Sequence, residues 1–135
     1  MNRLTVSGLV LALAAGQVQA GEVLHGDEVI SLLVGNTVEA TYHNAGESGR
    51  HGFFEYYTED GKILGWETKL EQAGNYTHYV GSWKLDGDKL CASVYGRPYS
   101  CSSFEKIKDG EYRRISDNMK FGNVTLHQGK YHPVN

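Results

Sequence analysis

Glu55-Tyr56-Tyr57-Thr58-Glu59-Asp60-Gly61-Lys62-Ile63-Leu64-Gly65-Trp66 reads as two β-strands joined by a turn. Aromatic and β-branched residues flank an Asp-Gly pair, and both turn positions of a type I′ hairpin need positive φ, which Gly and Asp tolerate. A two-residue turn at Asp60-Gly61 pairs Tyr57 with Leu64 and Glu55 with Trp66. It also sets Tyr56 against Gly65, an aromatic covering a strand glycine. The signal recurs at Asp86-Gly87 and Asp109-Gly110. The second turn pairs Trp83 with Leu90, Gly81 with Ala92 and Tyr79 with Val94, a face that reads as core. Its drawback is Lys84 opposite Lys89. The third pairs Lys108 with Glu111, Ile107 with Tyr112 and Glu105 with Arg114.

With Asn36–His43 before these hairpins and Asn123–His127 after them, the sequence predicts an all-β, antiparallel meander of about eight strands. Such a meander removes its exposed edges by curling into a small barrel or packing as a sandwich, and the sequence leaves both open. One short helix precedes the strands. Gly26-Asp27-Glu28 places acids at its positive end. Val29, Ile30, Leu32 and Leu33 form an apolar stripe, and Gly35 stops it. A helix this short must pack on the sheet.

Residues 1–20 read as a cleavable signal peptide: Arg3, an uncharged apolar run of about 12 residues, then Val18 and Ala20 before a cut at Gly21. A spanning helix needs roughly 20 apolar residues, and no later segment offers them. Residues 21–135 are then a single β domain, with the periplasm or the exterior as its compartment. Both cysteines, Cys91 and Cys101, fall in it, on either side of Gly96-Arg97-Pro98. Antiparallel strands leaving that turn bring them together, and an oxidising compartment joins them as a disulfide.

The chain has 13 basic and 16 acidic side chains; loss of residues 1–20 leaves 12 against 16. Mild acidity without a Lys/Arg cluster argues against nucleic acid as a partner. No integral membrane segment is expected after signal cleavage.

The helix ending Leu33-Val34-Gly35-Asn36-Thr37-Val38, the segment from Phe54 to Gly61, and Gly81-Ser82-Trp83 followed by Lys89-Leu90-Cys91 resemble small exported proteobacterial proteins of families of unknown function. Gly81-Ser82-Trp83 is also similar to the Gly-x-Trp of lipocalin-like and protease-inhibitor-like secreted β-barrels. In lipocalins that motif opens the first strand, whereas here it lies mid-chain. The inhibitory N-terminal segment of small periplasmic metalloprotease inhibitors has no counterpart at Gly21-Glu22-Val23. The resemblance implies an exported barrel and no reaction.

Candidate chemistry is sparse. His25, His43, His51, His78, His127 and His132 show no i, i+2 or i, i+4 pairing, so no metal is expected. No Gly-x-Ser-x-Gly elbow and no phosphate-binding Gly-rich loop is present. No catalytic residues and no cofactor are expected, and the chain is not read as an enzyme. Nine Tyr, four Phe and two Trp form a dense aromatic set for this length. Tyr56, Tyr57, Trp66, Tyr79 and Trp83 are the candidate ligand-binding residues, because Tyr and Trp offer apolar area with a polar tip. The expected function is non-catalytic binding of a small amphipathic ligand or a segment of an exported partner protein. The alternative is an inhibitor or interaction protein acting on another exported protein through the Tyr42–Gly52 loop.

Overall fold

The computed structural model describes residues 18–43, 48–72 and 74–131. It is all-β with one short α-helix. The elements are β1 (Val23–Leu24), α1 (Gly26–Leu33), β2 (Asn36–Tyr42), β3 (His51–Tyr57), β4 (Lys62–Lys69), β5 (Thr77–Asp86), β6 (Lys89–Val94), β7 (Ser100–Ser102), β8 (Phe104–Lys108), β9 (Glu111–Arg114) and β10 (Met119–Gln128). All ten strands belong to one antiparallel sheet in the order β1-β8-β9-β10-β2-β3-β4-β5-β6-β7. Only Ser103 separates β7, at one edge, from β8, next to the other edge. The sheet therefore curls into a half-barrel whose two ends are joined by the chain at this corner, and no second sheet stacks on it among the described residues. Backbone and hydroxyl bonds tie this corner: Ile115 N donates to Ser103 O, and Ser116 N to Ser102 Oγ.

The strand count is ten rather than about eight. The surplus comes from the two-residue β1, which pairs with β8, and from the interruption at Ser103. The final strand is also longer than Asn123–His127. It begins at Met119 and carries an irregularity between Gly122 and Thr125, where Asn123 takes a φ of 52°.

The registers are more specific than the turns. In the first hairpin the connection spans residues 58–61: Thr58 N donates to Lys62 O, and Lys62 N to Thr58 Oγ1. Tyr57 therefore pairs with Ile63, Glu55 with Gly65 and Phe54 with Trp66. That is one residue off a two-residue turn, and such a slip exchanges the faces of β4 relative to β3. In the second hairpin Gly87 and Asp88 separate the paired Asp86 and Lys89, so Trp83 pairs with Ala92 and Gly81 with Val94. The displacement of two residues keeps the inner face unchanged. It also removes the like-charge pair, since Lys84 now faces Cys91. In the third, Lys108 pairs with Glu111 as expected. A bulge at Ile107 then sets Lys106 opposite Tyr112 and Glu105 opposite Arg113, with which it forms an ion pair.

The cysteines occupy directly paired positions on β6 and β7 and are bonded to each other. The turn between them is centred on Tyr95-Gly96, both at positive φ, one residue earlier than Gly96-Arg97-Pro98.

Helix α1 covers one end of the curled sheet. Its N-terminus is held by Glu28, whose Oε1 accepts the His25 N–H at 2.8 Å. Gly26 N donates to Asp88 O, and a Cβ on Gly26 would lie 2.2 Å from the Leu90 nitrogen. Only glycine allows that approach to β6. Past the helix, Gly35 has φ 81° and donates to Tyr57 O. Ile30 is buried with Tyr57, Ile63 and Leu90, and Val29, Leu33, Trp83 and Phe104 pack around them. The core thus sits at the helix end.

Candidate functional site

Beyond this plug the interior is not filled. A cavity of about 940 Å³ runs from Leu33 on α1 to Tyr42 and His51, at the opposite ends of β2 and β3. Period-two alternation decides its lining. From β3 it takes His51, Phe53, Glu55 and Tyr57; from β2, Val38 and Ala40; from β6, Ala92 and Val94. Near α1 the lining is aliphatic. Further along, acids and phenols join it.

Glu55 organises that polar section. Its Oε1 accepts the Tyr57 hydroxyl at 2.8 Å and its Oε2 the Tyr79 hydroxyl at 2.6 Å. The Tyr79 ring reaches this position by lying across Gly65, where a Cβ would stand 2.2 Å from the ring. The glycine is covered by an aromatic as the sequence suggests, but from β5 rather than by Tyr56. A second acid, Glu67, faces the same interior. Its Oε1 accepts the Tyr95 hydroxyl at 3.0 Å, and its Oε2 lies 3.5 Å from His51 Nδ1. The Tyr79 and Tyr95 rings are 4.9 Å apart.

Two cations on the cavity lining have acid partners of their own. Arg114 makes a two-pronged contact with Asp117, at 3.0 and 2.7 Å. That contact holds the Asp117 carboxyl below its ordinary value. Lys106 donates to Asp109 at 2.8 Å and to the Val18 carbonyl at 2.7 Å. Among the described residues no Lys, Arg or His forms an ion pair with Glu55.

Burial pushes the Glu55 carboxyl above its ordinary 4.5, against the pull of the Tyr79 and Tyr57 hydroxyls and of Arg114. Burial and the Glu55 charge hold the Tyr57 and Tyr79 phenols well above 10. Desolvation, then Glu67, raises Tyr95 to about 12. A carboxyl with a raised folded-state pKa binds more protons folded than unfolded, so stability falls as pH rises from 4.5 towards that pKa. Glu55→Gln removes this loss. Its stability relative to wild type, followed by urea unfolding at a series of pH values, is expected to improve as pH rises through that window. Parallel curves would contradict it.

Of the five residues named from sequence, Tyr57 and Tyr79 share the cavity wall and one carboxylate. Trp83 lies outside the cavity lining; its indole N–H donates to Thr58 O at 2.8 Å and its ring packs on the core cluster. Tyr56 and Trp66 point to the other face of the sheet. Trp66 is nevertheless buried, with His78 against it at 5.5 Å. Glu55, Glu67 and Tyr95 escaped the sequence reading. The available signal was His51-x-Phe53-x-Glu55-x-Tyr57, an acid within an inward, aromatic period-two face.

The histidines are dispersed. His127 contacts Glu39 at 2.7 Å and stacks on Tyr131, and His25 faces Asp88. His132 lies outside the described residues. Among those described, the one set of three ligand groups within mutual coordination reach is Asp86, Cys91 and Cys101, whose sulfurs are joined to each other. In the Tyr42–Gly52 loop, residues 44–47 lie outside the described residues; its ends, Tyr42 and His51, stack at 5.2 Å beside the cavity. Residues 1–17 of the expected signal peptide also lie outside the description. No described helix is long and apolar enough to cross a membrane. No family model, curated protein or solved structure matches the chain.

Proposed function

We propose that this is a non-catalytic, exported protein that binds a small amphipathic ligand inside its curled sheet. The observation that carries this reading is the cavity of about 940 Å³, aliphatic beside α1 and lined by carboxylates and phenols further along. Its size lies in the range that encloses a drug-sized molecule, and a mostly apolar wall with a few placed polar groups is what such sites share. An aliphatic tail gains by leaving water at the helix end, while a polar head meets Glu55 and its phenols.

Export to the periplasm, or beyond it, rests on residues 1–20 and is supported by the Cys91–Cys101 disulfide, a bond that persists in oxidising compartments. Cleavage before Gly21 removes Val18, and Lys106 then keeps Asp109 as its partner. The Gly-x-Trp at Gly81-Ser82-Trp83 and the single curled sheet are in keeping with the resemblance to secreted barrels.

Native mass spectrometry of protein purified from the periplasm of its own host tests the reading. A co-purified mass of up to about several hundred daltons, released by organic solvent, is expected. Bare polypeptide in every preparation would count against it.

A further inference from the structure

The geometry points to a ligand that carries a protonated amine, with Glu55 and Glu67 as its counter-charges and the Tyr79 and Tyr95 rings as its walls; this rests on the cavity-binding reading above. Glu55 pairs with Gly65, and Glu67 with Phe53, across adjacent strands. The two acids are therefore diagonal neighbours on the inner face. Between them Gly65 contributes no side chain, and Tyr79 fills that space. The result is two carboxylates beside two phenol rings that pack on each other, 4.9 Å apart, on one cavity wall.

Three features favour a cation over an anion or a neutral head. First, the cavity's own cations are engaged: Arg114 by Asp117 and Lys106 by Asp109. Arg97, also on the lining, is exposed to solvent and lies over the Tyr95 ring at 5.6 Å, so neither Arg114 nor Lys106 is left unpaired for an incoming carboxylate. Second, Glu55 is held only by phenols among the described residues. A carboxylate has about four acceptor positions, and two phenols leave capacity for an N–H donor. Third, aromatic faces beside a buried carboxylate attract an ammonium through the ring quadrupole as well as by charge. An anionic head would meet the two carboxylates as like charges.

The apolar remainder of the ligand has a place as well. Val94, Ala92 and Leu33 line the stretch between Glu55 and the helix, and Val38 stands level with Glu55. A chain of several methylenes would lie there with its ammonium turned back to the acids. The ligand class is an alkyl or arylalkyl amine.

Isothermal titration calorimetry on the oxidised protein at pH 7 separates the possibilities with three probes of one chain length: octylamine, octan-1-ol and octanoate. Octylamine is expected to bind at least about tenfold more tightly than either of the others, the advantage of a charge-assisted over a neutral hydrogen bond. Glu55→Gln/Glu67→Gln is expected to abolish the preference, bringing octylamine affinity down to that of octan-1-ol for the same variant. Equal or tighter binding of octan-1-ol or octanoate by the wild type would overturn the amine assignment and leave the cavity reading standing. Failure of all three probes to bind would overturn both. The wild-type comparison needs no variant, so a folding defect in the double substitution cannot obscure the outcome; Glu67→Gln alone, expected to weaken octylamine selectively, serves as the milder variant.

Discussion

Truncation of Ile63 to alanine is expected to lower stability by about 2–5 kcal/mol, the range for removing a large aliphatic side chain from a packed core. Ile63 has 0 % of its surface exposed and sits among Ile30, Tyr57 and Leu90, where α1 closes the sheet. It does not border the cavity, so its loss opens a new void rather than enlarging an existing space. The contacts it forfeits have no replacement unless α1 collapses inward, and Gly26 is already pressed against the β6 backbone. Leu33→Ala provides the contrast. Leu33 is half-buried and faces the cavity on one side, so it has fewer contacts to lose and a smaller cost is expected. Urea unfolding of both variants, compared at equal m-value, measures the difference. An Ile63→Ala cost no greater than that of Leu33→Ala would show that the packed region lies elsewhere.

Reduction of the Cys91–Cys101 bond is expected to cost about 2–4 kcal/mol. The cysteines are ten residues apart, so the entropy removed from the unfolded chain is that of a short loop. The structural setting adds to it. β7 is only three residues long and stands at a sheet edge, paired with β6 alone. Since Ser103 joins it directly to β8, release of β7 also loosens the corner through which the sheet ends meet. Urea unfolding with and without reductant is the measurement, with a clear fall in midpoint as the expected result. Identical midpoints, with two titratable thiols in the reduced sample, would mean that β7 is held by its backbone bonds and the Ser102–Ser116 contact without the sulfur bridge.

How much was legible in the sequence follows from the period of a strand. The inner face of β5 and β6 was readable although the register was two residues out, because a shift of two returns every side chain to the same face. The first hairpin was not readable in this way. Thr58 binds Lys62 through both its hydroxyl and its backbone, lengthening the connection, and a shift of one put Gly65 rather than Trp66 opposite Glu55. Neither Asp60 nor Gly61 records that choice; it rests on the Thr58 hydroxyl. The cysteine pairing was legible because a turn and two flanking strands are local. The Glu55–Tyr79 contact was not, since it joins β3 to β5 and depends on the absence of a side chain at Gly65 on the strand between them. Acids at inward positions also run against ordinary patterning. Only the fold brings phenols to both of the Glu55 oxygens.

The most direct test of a ligand site inside the curled sheet is isotope-filtered NMR of octylamine bound to the labelled protein. Intermolecular contacts should join its methylenes to Leu33, Ala92 and Val94 and place the nitrogen-bearing carbon beside Tyr79. Contacts confined to outward positions such as Leu64 and Val80, with the interior resonances unmoved, would contradict the account.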